Sequence, residues 1–404
     1  MTRSAFSPLT IGPLTLRNRF IKSATNEGMA PGGIPSRALV EHHRAIAAGG
    51  AAMTTVAYCA VSADGRTFED QIHLHRGILP HLRALTDAVH AHGAAACAQI
   101  THGGAFTFLK QLSTRYPLSA SGGFNAVGVV SGRLLRTQMD AAQMELVTQQ
   151  FVDGARLAVE AGFDAVELHM GHGYLLSQFL SPGYNKRRDG YGGDAVARAR
   201  FPAQILRRVL DAVGTRVAVT CKIGVDEGFR KGGTAEDAAA IARVLEHEGA
   251  HLLVLSGGMN VESPWAIFGS PMPREAVENM QNTVVKLSTR LMRLIEPKVR
   301  FKPLYLREHS LKVRSAVSMP LAYLGGAQSM DAVEQIMADG FDAVTMGRAL
   351  IHDARLVQRF ADGSTRVSGC TACNRCVVSM YTPAGTHCVI GPAPDASLNA
   401  MPAV

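Results

Sequence analysis

Eight short apolar runs, each followed by a stretch of helical period, constrain this 404-residue chain more than any other feature. The runs are RFIKSAT (19–25), AMTTVAY (52–58), AACAQIT (95–101), DAVELHM (164–170), RVAVTCKIG (216–224), HLLVLSGG (251–258), MPLAYLGG (319–326) and DAVTMGR (342–348). Between them lie HLRALTDAVHAHG, FVDGARLAVEAG, RFPAQILRRVLDAVG, AEDAAAIARVLEHEG and MDAVEQIMADG. Each is apolar on one face, and most close on glycine, the usual stop at a helix end. Near-continuous apolar strands suit parallel pairing with both faces buried. Eight such β-α units predict an α/β fold, a (β/α)8 TIM barrel. A doubly wound open sheet is the alternative, but no GxGxxG follows the first run.

The pattern departs from a minimal barrel in four places. An N-terminal hairpin is expected before the first strand. A long glycine-rich stretch (102–137) precedes the fourth. Residues 259–315 read as an insertion after strand six, holding SPWAIFGSPMP with the single tryptophan and a basic helical run, VVKLSTRLMRLIEPKVRFK (284–302). Its place over the C-terminal face suits a lid or an oligomer contact. A barrel over 1–360 is then followed by a Cys-rich extension, 361–404.

The net charge is +8, with basic residues spread along the chain and no long run. That disfavours nucleic acid as a partner and leaves room for a phosphate-bearing ligand. MTRSAFSPLTIGPLTLRNRF lacks an apolar core of signal-peptide length, and no apolar run has membrane-spanning length. A cytoplasmic protein with a small-molecule substrate is expected.

A barrel gathers the C-terminal residues of its strands into one mouth. Here they are Ser23, Ala24, Thr25 and Asn26; Ala57 and Tyr58; Gln99; His169 with His172 and Tyr174; Lys222; Ser256; Gly325 and Gly326; Gly347 and Arg348. Glycines at strands seven and eight let backbone N–H groups approach phosphate oxygens. Lys222 adds a central cation, and Gln99 a donor and an acceptor. The set suits a flat, polar heteroaromatic ring with a phosphate tail. Residues three apart on a strand face opposite ways, so His169 and His172 meet only if the chain turns between them. Gly171 and Gly173 are expected to permit that turn.

The stretch HMGHGYLLSQFLSPGYNKRRDGYGG (169–193) closely follows H-x-x-H/N-G-Y-L-x-x-Q-F-L-S-P-x-x-N-x-R-x-D-x-Y-G-G. With LRNRFIKSAT, AQITHGG, YLGG and TMGRALIHD, it resembles the Old Yellow Enzyme family of FMN-dependent ene-reductases over roughly residues 5–390. The resemblance implies bound FMN, NADH or NADPH as reductant, and reduction of α,β-unsaturated carbonyl compounds by hydride from flavin N5. His169 and His172 would hold the substrate's carbonyl oxygen, and Tyr174 would give the proton. Lys222 would lie at the flavin N1/O2 edge. Gln99 and Ala57 would touch the ring, with Ser23, Ala24 and Thr25 supporting its other side. Gly325, Gly326, Gly347 and Arg348 would hold the phosphate. Asn185, Arg187, Asp189, Tyr191 and Gly193 would brace a loop. Asn26 stands where relatives carry Thr or Cys. Val196-Ala197 and Ala105 also depart from the pattern, at positions of loop bracing or oligomer contact. A flavin-free barrel lyase using Lys222 as an imine is a rival from another class.

Seven cysteines are present, and Cys370, Cys373, Cys376 and Cys388 form C-x2-C-x2-C-x11-C. In a cytosolic chain such a group suggests a metal or a cluster. It resembles the 4Fe-4S segment of 2,4-dienoyl-CoA reductase and trimethylamine dehydrogenase. A 4Fe-4S cluster, a zinc ion and unmetallated thiols are the open readings. The cluster reading admits a dienoyl-CoA-type reductase with an iron–sulfur relay, the basic run contacting CoA phosphates.

Overall fold

All eight apolar runs form strands. The computed structural model describes residues 4–128, 132–273, 297–391 and 394–404. Two short strands, β1 (Leu9–Ile11) and β2 (Leu14–Leu16), pair as the expected antiparallel hairpin. The barrel follows with β3 (Phe20–Lys22), β4 (Met53–Ala60) and β5 (Ala95–Thr101). The glycine-rich stretch makes a small separate sheet from β6 (Leu118–Ser119), β7 (Gly123–Phe124) and β8 (Leu135–Gln138). Five more barrel strands complete the ring: β9 (Ala165–Met170), β10 (Ala218–Gly224), β11 (Leu252–Ser256), β12 (Leu321–Leu324) and β13 (Ala343–Met346). They close in parallel, β13 returning to β3. The chain is a (β/α)8 TIM barrel.

Alternation along the strands builds the interior in layers. Ile21, Met53, Ala95, Cys97, Ala165, Ala218, Leu252, Val254, Ala322 and Ala343 form one apolar cluster, to which Ile11 and Leu16 of the hairpin belong. Two residues further along, the same face carries polar groups. Gln99 follows Cys97, Glu167 and His169 follow Ala165, and Lys222 follows Thr220; all are buried. The barrel is therefore apolar at the hairpin end and polar at the other.

Helix starts are set by side-chain caps. Asp194 accepts from the Ala197 amide at 2.8 Å to start the helix Ala195–Val213. Thr234 and Asp237 form a reciprocal box at the start of Ala235–His247. The expected insertion ends earlier than 315. The helix Arg307–Arg314 belongs to the barrel's outer ring, with Val313 in the main core and Lys312 paired to Glu236 at 2.5 Å. Most of the basic run 284–302 lies outside the described residues. The extension folds back on the barrel. The Arg37 amide donates to Met401 O at 2.9 Å, and Ser36 Oγ meets Asn399 Oδ1 at 2.9 Å. Among the described residues no helix is long and apolar enough to cross a membrane.

The loop after β9 is braced as expected. Asn185 Nδ2 donates to Phe179 O at 2.8 Å and Tyr191 O at 2.7 Å. Buried Arg187 pairs with Asp189 at 2.7 Å and donates to the carbonyls of Ala120 (3.1 Å) and Met139 (2.9 Å). Arg187→Ala leaves both buried carbonyls without that donor, at about 1–3 kcal/mol for each group unsatisfied. Urea unfolding will show a lower midpoint with unchanged slope.

Candidate active site

The turn after β9 is tighter than the glycines suggest. His172 itself takes the left-handed conformation, φ 62°, followed by Gly173 at φ 89°; Gly171 is not among the positive-φ residues. A non-glycine residue there costs about 1–3 kcal/mol and persists only when its surroundings enforce it. They do: the Asn260 amide donates to His172 O at 3.1 Å, and Ser256 Oγ meets His172 Nε2 at 2.7 Å. The turn brings the imidazoles together, ring centroids 5.0 Å apart and edge to face. Tyr174 packs 4.6 Å from His169, 5.1 Å from Tyr58 and 5.6 Å from Phe106.

Burial fixes the protonation of these groups. It holds His169 well below the usual histidine range, with His172 and Lys222 adding to the effect. It lowers His172 to about 3, again with help from Lys222. Both are neutral near pH 7. His169 Nδ1 accepts the Gly171 amide at 3.3 Å, so its proton sits on Nε2. Burial pushes the Tyr174 phenol up to about 12, against hydrogen bonds with Tyr58 and Asn260; Tyr381 adds a further upward push.

Below the histidines lies one polar network. Lys222 Nζ pairs with Glu167 Oε1 at 3.1 Å and donates to Ser23 Oγ at 3.4 Å. Gln99 Nε2 donates to the same Glu167 oxygen at 2.6 Å. Ser23, Gln99 and Lys222 thus meet as expected, through a residue the sequence reading passed over. Glu167 had a signal: a lone carboxylate in an apolar strand, on the face of His169.

Other expected residues are placed differently. The Thr25 hydroxyl donates to Glu27 at 2.7 Å and accepts from Lys22 at 3.0 Å, so it serves a buried Lys22–Glu27 pair. Ala57 bridges to Asn26 beside Ala24. Gly325, Gly326 and Gly347 lie at the ends of neighbouring strands β12 and β13. Around Gly347 the nearest atoms to an added Cβ are on Thr25 (3.8 Å) and Ser23 (3.9 Å), whereas Gly325 and Gly326 are packed closely by Tyr323 and the segment 302–306. The Arg348 guanidinium is committed elsewhere. It donates to Phe268 O (2.6 Å), Ser270 Oγ (2.9 Å), Ala372 O (3.3 Å) and Asn374 Oδ1 (2.5 Å). In this arrangement it ties the Cys-rich segment to the barrel and is not free for the phosphate role expected of it.

The four clustered cysteines line one small, water-sized cavity together with Arg348. All are free thiols, and Cys388 Sγ lies 3.3 Å from His352 Nδ1. Burial pushes the Cys376 thiol up to about 12. Among the described residues no group of three or more His, Cys, Asp or Glu is placed to hold a metal ion.

Residues 4–366 match the NADH:flavin oxidoreductase / NADH oxidase family. The chain is 41% identical over 394 residues to a 4,4'-dithiodibutanoate disulfide reductase of Rhodococcus erythropolis, covering 96% of this chain and 95% of that protein. It is 31% identical to an NADH oxidase of Thermoanaerobacter brockii over 91% of its own length, but spans only 52% of that protein. In fold it is similar to 2-naphthoyl-CoA reductase (TM-score 0.80, 21% identity, 99% of this chain and 58% of that one). It is also similar to morphinone reductase (TM-score 0.69, 20% identity, 92% and 94%).

The neutral imidazoles make stability pH-dependent. Unfolded, a histidine titrates near about 6.5; folded, His172 titrates near 3. Between those values the unfolded chain binds the extra proton, so stability falls as pH drops from about 6.5 towards 3, by about 1.4 kcal/mol per pH unit and per proton. His172→Asn removes one such proton. Urea unfolding between about pH 5 and 6 will give a slope flatter by that amount.

Proposed function

The chain belongs to the NADH:flavin oxidoreductase / NADH oxidase family and is a flavin-dependent NADH oxidoreductase; from that premise we propose that it carries FMN and reduces activated C=C bonds of α,β-unsaturated carbonyl compounds. The observation that carries this reading is the buried trio His169, His172 and Tyr174 at the polar end of the barrel. The residues below it fit a flavin: Gln99 and Lys222 offer donors to a ring edge, and Gly347 at the end of β13 is the least crowded of the rim glycines. FMN, when bound, would supply the hydride-transfer chemistry, with NADH or NADPH as reductant and the substrate's β-carbon as acceptor.

The chain's own residues do the rest. His169 Nε2–H faces the carbonyl oxygen. With Ser256 donating to His172 Nε2, the second imidazole keeps its proton on Nδ1. Two neutral N–H donors then stabilise the negative charge the oxygen gains, without the cost of a buried imidazolium. Tyr174 stays protonated at working pH and holds the proton destined for the α-carbon. Lys222, anchored by Glu167, would set positive charge beside the ring. We place the enzyme in the cytoplasm, where cysteines without disulfides persist.

Removing either imidazole by His169→Ala or His172→Ala will lower enone turnover about 10²–10³-fold. Tyr174→Phe will lower it about 10²–10⁴-fold. Stopped-flow reduction of the bound flavin by NADH will continue in all three. Unchanged enone turnover in all three overturns the reading.

Disulfide reduction is the second reading, favoured by the end-to-end match to the Rhodococcus disulfide reductase. There the S–S bond breaks as one sulfur takes the hydride and the other leaves as a thiolate that takes a proton. The same N–H pair would face the leaving sulfur. Both acceptor classes, assayed against the three variants, decide between them. For the cysteine site we propose a 4Fe-4S cluster, whose four-thiolate donor set these residues supply. Anaerobically purified protein will then contain about four iron and four acid-labile sulfide per chain; absence of both removes the cluster.

A further inference from the structure

A second cavity, of about 460 Å³, opens beside the trio. Three segments wall it: the loop 26–31 after β3, the end of β4 with residues 68–72, and Met380–Pro383 of the extension. Ala57 and Tyr58 line this wall and also pack in the apolar cluster that includes Tyr174, so the cavity lies directly against the trio. The far wall is built into the fold. A methyl group at Gly28 would collide with the Met380 carbonyl, so only glycine permits that approach. The Thr386 amide donates to Glu27 O at 2.6 Å, and its hydroxyl to Asn26 O at 2.9 Å. Asn399 Nδ2 donates to Pro383 O at 2.9 Å.

Two features of the lining select a ligand. Tyr381 stands 67% exposed on the wall, a large aromatic surface without packing of its own. The charges are one-sided. Glu27 is answered by Lys22, which leaves Asp70, whose Oδ1 accepts the Gly32 amide at 2.9 Å. No Lys, Arg or His is among the described residues lining the cavity. Its size suits a drug-sized molecule, and its mix of apolar surface with few polar groups is that of a ligand pocket.

We propose that this cavity receives the body of the substrate while its reacting group lies at His169 and His172, with Tyr381 and Asp70 setting specificity for neutral or cationic aromatic electrophiles over anionic ones. This deepens the enone reading and rests on it. Among the described lining residues an anion meets the Asp70 carboxylate and no counter-ion. Tyr381 adds a flat face for an aromatic ring or an organic cation.

The test uses the flavin-loaded enzyme and two substitutions outside the trio, Tyr381→Ala and Asp70→Lys. Substrates are 2-cyclohexenone, too short to reach the wall, and 4-aryl-3-buten-2-ones bearing para-trimethylammonium, isopropyl or carboxylate groups. Tyr381→Ala is expected to lower kcat/KM for the ammonium and isopropyl compounds about tenfold through KM. Cyclohexenone turnover and flavin reduction by NADH will stay within about twofold, and Tyr381→Phe will restore the aryl substrates. Asp70→Lys is expected to reverse the preference for ammonium over carboxylate. Equal effects on all substrates, or none, overturn the proposal. If wild-type enzyme turns over no enone, the functional reading has failed. Calorimetric binding of the saturated 4-aryl-2-butanones then decides on the cavity: the same ammonium-over-carboxylate order, lost in Asp70→Lys, upholds it, and equal or absent binding overturns it.

Discussion

The ion pair between Lys222 and Glu167 inside the barrel governs how the rest of the site is arranged. Both groups are almost fully buried, and removing two charges from water costs several kcal/mol each unless the geometry returns it. The return comes from a shared acceptor. One Glu167 oxygen receives both the Lys222 ammonium and the Gln99 amide, and Ser23 takes another ammonium hydrogen. Three strands that are neighbours in the ring, β5, β9 and β10, therefore meet through one carboxylate. An apolar interior would be more stable. A network that places one cation and several donors at a fixed depth is explained by the ligand they serve. The cation also acts on its neighbours: with burial, it keeps both imidazoles neutral, and neutral imidazoles donate one N–H each without carrying charge into the site.

Strain collects immediately above this layer. His172 occupies a backbone region that its side chain disfavours. Its position is enforced by the segment after β11, through Asn260 and Ser256. The strained residue is thus positioned by strands on both sides of β10, and its ring is held against His169 before any substrate arrives. Preorganisation of this kind is what an oxygen-binding pair requires, because donors that must rotate into place lose part of their advantage.

The barrel was legible because its signals are local. Apolar runs, helical stretches and closing glycines repeat with short periods, and burying both faces of a parallel strand leaves a continuous apolar run. The trio was legible for the same reason, all three residues lying in one short segment. What escaped depends on contacts between distant segments. Arg348 sits where a phosphate ligand would be expected, but its guanidinium is drawn to the Phe268 and Ala372 carbonyls and the Ser270 hydroxyl. Gly171 and Gly173 are expected to permit the turn; Gly173 does take a positive φ, but the other left-handed residue is His172 and not Gly171, held by contacts from Ser256 and Asn260. The insertion was drawn too long because the helix Arg307–Arg314 is strongly charged, and its packing against Ala235–His247 does not show in its own sequence. Glu167 alone was readable and overlooked.

Tyr381 shows the limit most clearly, since nothing in its neighbourhood marks it as part of a pocket. It lies on the loop between Cys376 and Cys388, the third and fourth cysteines of the cluster-like spacing. Both ends of that loop line the cysteine cavity, while its middle lines the larger cavity beside Tyr174. Arg348 and His352, one helical turn apart on Arg348–His352, grip the segment at Asn374 and Cys388. The helix following the last barrel strand thus fixes the cysteine cavity, and the cysteine cavity fixes the loop that faces the substrate. A barrel with its own complete core needs no such appendage for stability. Its contacts run to the loop after β3 and to the helix Arg37–Ala48, beside the mouth. On the proposal that the cavity receives the substrate's body, the extension acts as one of its walls.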